Sequence, residues 1–369
     1  MRLGLFFFGM TPIASQVGAY GRMLDWAATA DEVGFSFISV PERHFDRFGG
    51  PFPNPALLCA AMAGVTSRIQ LRAGSVVLPL HDELRIAEDW SIVDNLSAGR
   101  VAMSIGSGWN VNDFVLAPNA YETRRQALHR QIYNLQAFWS SGAAKRVNGA
   151  GEMAEIELQP RPVQPTLPVW ITSSRSTETV TEAGARGFNL LTHLENQDLE
   201  GLARQVSMYR SARETAGLTP DGGVVTLMQH TLVSDDPADV NAAGSHLRTY
   251  LNAALDLEAK ALGAGGAMSG QRQVAEQALV AASSREAILN NAVQRYAGES
   301  GLIGPTSSVR RRLARLAAAG VDEVACLVDF VPDPQLLTRG IGNLATLVQE
   351  TKTWEASTAS AVQAFSSGA

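Results

Sequence analysis

The stretch "IQLRAGSVVLPLHDELRIAEDWSIVDNLSAGRVAMSIG", Ile69 to Gly106, holds three elements in succession. "IQLRAGSVVL" is an apolar, β-branched run of strand length. From about Glu83 to Ser97 the apolar residues Ile86, Trp90, Val93 and Leu96 recur at the three-to-four spacing of one helix face. "AGR" supplies the glycine that ends such a helix, and "VAMSIG" is again strand-like. A helix between two strands carries the chain back to where it started, so the two strands lie parallel and the stretch is a βαβ unit.

The same beat extends in both directions. Upstream, "RLGLFFFG" leads into a helix with Tyr20, Met23, Leu24 and Ala27 on one face, and "FSFISV" leads through a loop into a helix beginning near Pro55. Downstream, a helix from Asn119 to about Trp139 is followed by residues 142–167, where Gly, Pro and the short "AEIELQP" break the rhythm as an insertion. Then come "LPVWITS", a helix over Thr177–Arg186, "FNLLTHL", a helix over Asp198–Ala216, and the seventh strand "VVTLMQHTLVS". Residues 237–304 read as a second, largely helical insertion, interrupted by "LGAGGAMSG". A helix carrying Val309, Leu313, Leu316 and Ala317 precedes the eighth strand, "VDEVACLVDF". Eight parallel strands alternating with helices are the number at which a sheet closes, so the expected fold is an α/β, (β/α)8 TIM barrel with insertions after strands 4 and 7. An open doubly wound sheet is the alternative. One domain over 1–350 is expected, with the small, polar 351–369 as a flexible tail.

Composition narrows the function. With 46% hydrophobic residues the chain can bury a large core, and a net charge of -6 with a pI near 5.6 comes without a long basic run. The densest positive cluster, Arg310, Arg311, Arg312 and Arg315, sits in a helical pattern, so nucleic acid is not an expected partner. Cys59 and Cys326 lie far apart in apolar surroundings, as buried thiols of a reducing, cytoplasmic protein would. No run approaches the roughly 18 apolar residues of a membrane span, and the apolar start reads as a first strand rather than a signal peptide.

In a barrel of this kind the chemistry gathers just after the strands. "ERHFDRFGGP", Glu42 to Pro51, follows the second strand. His44 there could be an acid, a base or a hydrogen-bond donor, and Arg43 an anion holder; a purely structural loop histidine is the alternative. "TSSRST", Thr172 to Thr177, puts the hydroxyls of Thr172, Ser173, Ser174 and Ser176 before a helix whose free N–H groups favour an anion, whereas helix capping alone explains one of the four. Gly74 in "AGS" weakens a strand unless a flat ligand or a second backbone approaches closely; a bulge or tight packing inside a tapering barrel is the alternative. "GSGWNVNDF", with Gly106, Ser107, Gly108, Trp109, Asn110, Asn112 and Asp113, suits a cofactor edge or a plain turn. Metal-site, hydrolase-triad and dinucleotide-fold motifs are missing from the sequence, and no metal is expected.

Taken together, "GLFFFG", "ERHFDRFGG", "AGSVVLPLHDELRIAEDWSIVDNLSAGR", "GSGWNVNDFVLAP", "VWITSSRSTET", "NLLTHL" and "GVDEVACLVDF" resemble the bacterial luciferase-like flavin monooxygenases, most closely their natural-product branch. The resemblance implies a barrel that takes reduced FMN (FMNH2) from a separate flavin reductase, forms a flavin hydroperoxide with O2, and oxygenates a small-molecule or carrier-protein-tethered substrate. A homodimer is expected. By this similarity Thr172, Ser173 and Ser176, with Ser174 beside them, fall at the FMN phosphate. Gly74 and Ser75 fall at a non-prolyl cis peptide against the isoalloxazine, and Gly106, Ser107 and Gly108 near the flavin. Arg43 and His44 face its reactive side.

The sequence departs from the luciferases in two places. Arg43 replaces the first histidine of their Glu-His-His-Phe, which puts aldehyde luminescence in doubt, and Ser107 stands where they use a phosphate-binding arginine. A deazaflavin-dependent oxidoreductase and a non-catalytic flavin-binding protein are the alternatives. Replacing Gly74 by Val is expected to crowd a flat ligand more than it unfolds the barrel.

Overall fold

The structure is a computed structural model, which describes residues 1–9, 18–48, 52–173, 176–194, 197–264, 282–298 and 300–366. Eight strands close a parallel barrel: β1 (Arg2–Phe6), β2 (Phe37–Val40), β3 (Gln70–Val77), β4 (Val101–Gly106), β7 (Val169–Thr172), β8 (Asn189–His193), β9 (Val225–Val233) and β11 (Glu323–Leu327). Every neighbouring pair is parallel, and the β8–β9 pairing, His193 opposite Met228 at its end, completes the ring. The open-sheet alternative is thereby excluded.

Both expected insertions are present. After β4 an antiparallel hairpin forms from β5 (Ala143–Val147) and β6 (Met153–Glu157). After β9 come the helices Pro237–Gly263 and Ala282–Ala297, then a short strand, β10 (Leu302–Gly304), which the sequence reading misses. It pairs with the far end of β9, Leu302 opposite Thr231, and extends one wall of the barrel mouth.

Helix faces largely follow the expected stripes. In Glu83–Ser97 the residues Ile86, Trp90 and Val93 are buried, but Leu96 is 58% exposed; the buried stripe continues instead through Asp94 and Ser97. In Ala19–Val33, Met23 and Ala27 are buried and Tyr20 is exposed. The last helix, Pro334–Ser366, runs through most of the segment expected as a tail. Cys59 and Cys326 are free and fully buried, and burial pushes both thiol pKa values up, that of Cys326 to about 12.

The N-terminal end of the barrel is closed by charge. Arg72 of β3 donates to both oxygens of Glu323 on β11, at 2.6 and 3.1 Å, while its guanidinium lies between the rings of Phe37 and Trp170. Arg2 and Thr226 also donate to Glu323, each at 2.8 Å. Burial pushes the Glu323 carboxyl up, but the two arginines and Thr226 outweigh it and hold it below its usual range. A buried carboxylate survives in this way only with every lone pair engaged.

Candidate active site at the barrel mouth

At the C-terminal end of the barrel, Asp329 after β11 accepts the N–H groups of Phe8 and Gly9, at 2.8 and 2.7 Å, and so ties the exit of β1 to that of β11. The loop after β2 is built around Glu42, which is 5% exposed. Its Oε1 meets His44 Nε2 at 2.9 Å and His81 Nε2 at 2.5 Å, and its Oε2 accepts the Val77 N–H at 2.7 Å. Burial pushes this carboxyl up, but the hydrogen bonds from His44, His81 and Val77 and the charge of His81 outweigh it and hold it below the usual carboxylate range. His44 is therefore anchored at Nε2.

Arg43 points inward, with its guanidinium 4.1 Å from the centre of the Phe8 ring and 5.9 Å from that of Trp109; its Nε is buried without a hydrogen-bond partner. Asp113 is buried nearby and hydrogen-bonded by Asn110 at 2.7 Å. Burial drives its pKa up to about 6, against the pull of the Arg43 and His44 charges and with a push from Glu42. An acid that titrates there and sits beside a histidine and an arginine can take up or release a proton near neutrality.

The Gly74–Ser75 peptide is cis, as the resemblance implies, and the β3–β4 register shifts there, between Gly74 and Val76. Ser75 Oγ lies 2.6 Å from Thr172 Oγ1, bringing the third and fifth barrel strands together across the mouth. Gly106 faces this pair, and a Cβ there would find its nearest neighbour, the Ser75 Cβ, at 3.9 Å, which leaves a shallow floor of small residues. Gly108 takes a left-handed φ of 78°, where a Cβ would come within 2.7 Å of Val77. Ser107 stands directly after the end of β4, between these two glycines.

Of the two explanations the sequence leaves open for Gly74, tight packing inside the barrel fits the structure. A Cβ there would fall 2.3 Å from Ser39 Oγ and 2.4 Å from Phe6 Cε2, so it is the packed barrel interior, rather than a ligand, that excludes a side chain. The expectation that valine would spare the fold is corrected accordingly. Gly74→Val should lower unfolding stability by about 1–3 kcal/mol or more through overpacking, read as a shift in the urea midpoint. An unchanged midpoint would contradict it.

Ser173 is 6% exposed and its buried Oγ has no hydrogen-bond partner. Ser176 caps the helix Thr177–Ala185, accepting the Thr179 N–H at 3.2 Å. Ser174 and Arg175 lie outside the described residues. An orphaned hydroxyl next to a capped helix N-terminus fits the phosphate end of a flavin mononucleotide, and the small-residue floor at Ser75 and Gly106 fits a flat ring.

Beyond Arg43 the mouth narrows into a cavity of about 160 Å³ bordered by Phe8, Trp109, His193, His230 and Tyr250. His230 packs edge-on against Tyr250, Tyr296 and Phe330 at ring-centre distances of 4.7 to 5.6 Å, and its Nε2 is buried without a partner. Burial, with a smaller push from the charge of His193, holds its pKa down at about 3, so it is neutral at physiological pH. The second insertion supplies part of this wall. Its first helix reaches back to the Glu42–Phe48 loop through Lys260 to Asp46 at 2.8 Å and through Tyr250 against Phe48.

Glu42, His81, Asp113 as a proton carrier, His230 and Tyr250 are not singled out by the sequence. His81 carried a weak signal, a histidine one short turn, Leu78–Leu80, beyond the third strand. Glu42 opened a quoted motif but drew no role, because a carboxylate's buried partners cannot be read from its neighbours.

Comparison with known proteins agrees with this architecture. Residues 1–323 match the family model of the luciferase-like monooxygenases. Among relatives, the oxygenase component of the flavin-dependent trigonelline monooxygenase of Acinetobacter baylyi is 25% identical over 326 residues, 85% of each chain. The 4-hydroxyprotoasukamycin monooxygenase of Streptomyces nodosus subsp. asukaensis is 28% identical over half of each chain. Among solved structures, the oxygenating constituent of 3,6-diketocamphane monooxygenase from Pseudomonas putida, a complex with FMN, superposes with a TM-score of 0.72 at 18% identity, covering 94% of this chain and 97% of that one. The coenzyme F420-dependent tetrahydromethanopterin reductase of Methanopyrus kandleri reaches 0.69 at 14% identity, covering 93% and 97%. At such identities the structural likeness is one of fold, and the sequence match carries the assignment: the chain belongs to the luciferase-like monooxygenase family.

Proposed function

We propose that the barrel mouth binds reduced FMN, delivered by a separate flavin reductase, and uses it with O2 to place one oxygen atom in an organic substrate seated in the inner cavity. The observation that carries this reading is the buried, unpartnered Ser173 hydroxyl at the head of the helix Thr177–Ala185, beside the Ser75–Thr172 pair. When bound, reduced flavin supplies the two electrons that send one atom of O2 to the substrate and the other to water.

The remaining work falls to the chain. Thr172, Ser173 and Ser176, with Ser174 in the same loop, hold the phosphate; Gly74, Ser75, Gly106, Ser107 and Gly108 border the ring. Arg43 offers a buried positive charge to an electron-rich ring edge, and His44 moves a proton. His230, neutral and unpartnered, gives a polar group on the substrate a hydrogen-bond partner. The Acinetobacter and Streptomyces relatives support oxygenation, and the latter's name supports secondary metabolism. Whether the substrate is free or carrier-bound is read by mass spectrometry, as a product about 16 Da heavier.

A deazaflavin-dependent oxidoreductase is the second reading, favoured by the shared fold of the Methanopyrus reductase. Rapid mixing of the reduced-FMN complex with O2 separates the two. A near-ultraviolet transient preceding reoxidation supports the oxygenase. No FMN binding together with anaerobic hydride transfer from reduced deazaflavin would replace it.

Two substitutions test the assignment of residues. Ser176→Asp sets a negative charge against the phosphate, and reduced-FMN affinity should fall about tenfold or more. An intact fold with unchanged affinity would move the phosphate elsewhere. Asp113 is protonated below its pKa of about 6 and ionised above it. The pH profile of product yield should therefore bend near 6, and Asp113→Asn should remove that bend while leaving FMN affinity in place. A bend that persists in the variant would assign it to another group.

A further inference from the structure

The wall of the inner cavity carries a polar atom that the fold leaves open. His230 stands on β9, is 8% exposed, and has the rings of Tyr250, Tyr296 and Phe330 edge-on around it at 5.1, 4.7 and 5.6 Å. Its Nε2 is buried and has no hydrogen-bond partner among the described residues. Burial keeps the imidazole neutral, so it has no charge with which to hold an ion. A phenylalanine would make the same three ring contacts without stranding a buried nitrogen, which is costly when nothing within the fold offsets it. A histidine in that place is explained by a ligand that completes its hydrogen bonding.

Size and lining describe that ligand further. The cavity measures about 160 Å³, and Phe8, Phe48, Trp109, Tyr250 and Tyr296 form much of its described wall. About 150 Å³ of apolar space is enough to take a benzene ring, and aromatic walls favour a ring over a flexible chain. The polar end follows from the imidazole. Nε2 is either the N–H or the bare nitrogen, according to tautomer, and a hydroxyl matches it both ways, accepting in one case and donating in the other. A carbonyl or an ether oxygen can only accept. Arg43 borders the same cavity, with its guanidinium over Phe8 and near Trp109, and is assigned above to the flavin ring edge.

We propose that the inner cavity selects a compact phenol, a single aromatic ring held among Phe8, Phe48 and Trp109 with its hydroxyl hydrogen-bonded to His230 Nε2. This rests on the oxygenase reading of the site and adds the chemical class of the substrate. His230 is then the residue that sets specificity.

The test is calorimetric titration of the full chain with phenol, toluene, cyclohexanol and benzoate, in the presence of oxidised FMN so that no turnover occurs. Toluene has the shape of phenol and leaves water more readily, so a cavity without a polar partner would prefer it. Phenol should instead bind about fivefold or more tightly than toluene, and than cyclohexanol. His230→Phe keeps the ring contacts and should reverse the order, phenol losing about tenfold and toluene little. A second measurement does not depend on that variant folding: in the unaltered chain with isotope-labelled histidine, phenol should shift the His230 ring-nitrogen resonance and toluene should leave it nearly in place. Toluene or cyclohexanol bound as tightly as phenol, benzoate bound more tightly through Arg43, or a His230→Phe chain that keeps the phenol preference would overturn the proposal. The oxygenase reading is scored separately, by oxygenated product per reduced FMN consumed. Phenol preference without oxygenated product would sink that reading alone, and oxygenation of other compounds without phenol preference would sink this one alone.

Discussion

His44→Ala lowers the yield of product per flavin oxidised by about a hundredfold to ten-thousandfold and leaves FMN affinity nearly unchanged, which is the scale of a lost acid–base group. Which ring nitrogen is occupied decides the role of His44. His44 Nε2 lies 2.9 Å from Glu42 Oε1, and the carboxylate, held below its usual pKa, can only accept. Nε2 therefore carries hydrogen, and Nδ1 is the atom left to take up or deliver a proton. Glu42 stays ionised beneath it and stabilises the imidazolium whenever Nδ1 is protonated, much as a buried carboxylate supports a catalytic histidine elsewhere. Because the flavin is assigned to the serine loop and the small-residue floor, its affinity does not depend on this ring. The measurement is rapid mixing of the reduced complex with O2 and substrate, with H2O2 counted against product. Equal yields and equal decay in variant and wild type would reduce His44 to a loop anchor and make Arg43 the better candidate.

The second large effect is at the opposite end of the barrel. Arg72→Met should destabilise the fold by about 3–5 kcal/mol, because it leaves Glu323 buried with its principal cation gone. Arg2 remains at 2.8 Å, but its side chain is 43% exposed and its hold is weakened by water. Adding Glu323→Leu should recover much of the loss, since what is costly is the stranded charge and not the absence of the pair. Urea unfolding of the two single variants and the double variant gives the coupling directly. A double variant as unstable as the sum of the singles would show that the ion pair is no unit.

The barrel was legible in the chain because parallel strands buried on both faces read as continuous apolar runs, and all eight were found that way. β10 was not legible, for three residues between helical segments carry no period. Leu96 and Tyr20 were placed on buried faces because a helical wheel cannot say how wide a neighbour is; both face solvent. At the site, the hydroxyl loop and the "AGS" glycine announced themselves by being unusual where they stood. The union of Glu42, His44 and His81 did not, since closing the barrel brings together residues 39 positions apart. Tyr250 and Tyr296 were hidden more deeply, in helices whose apolar residues look like any core stripe, although they frame His230.

The two cysteines bear on how such a protein survives its own chemistry. A flavin that meets O2 without substrate gives H2O2, which oxidises thiolates step by step to sulfenic and then irreversible acids. Cys59 and Cys326 are fully buried, and their raised pKa values keep both sulfurs protonated at any pH at which a cell lives. The thiolate, the form that reacts, is scarcely present, and peroxide would have to enter the packed interior to find it. Idle turnover can therefore waste reductant while leaving both thiols intact.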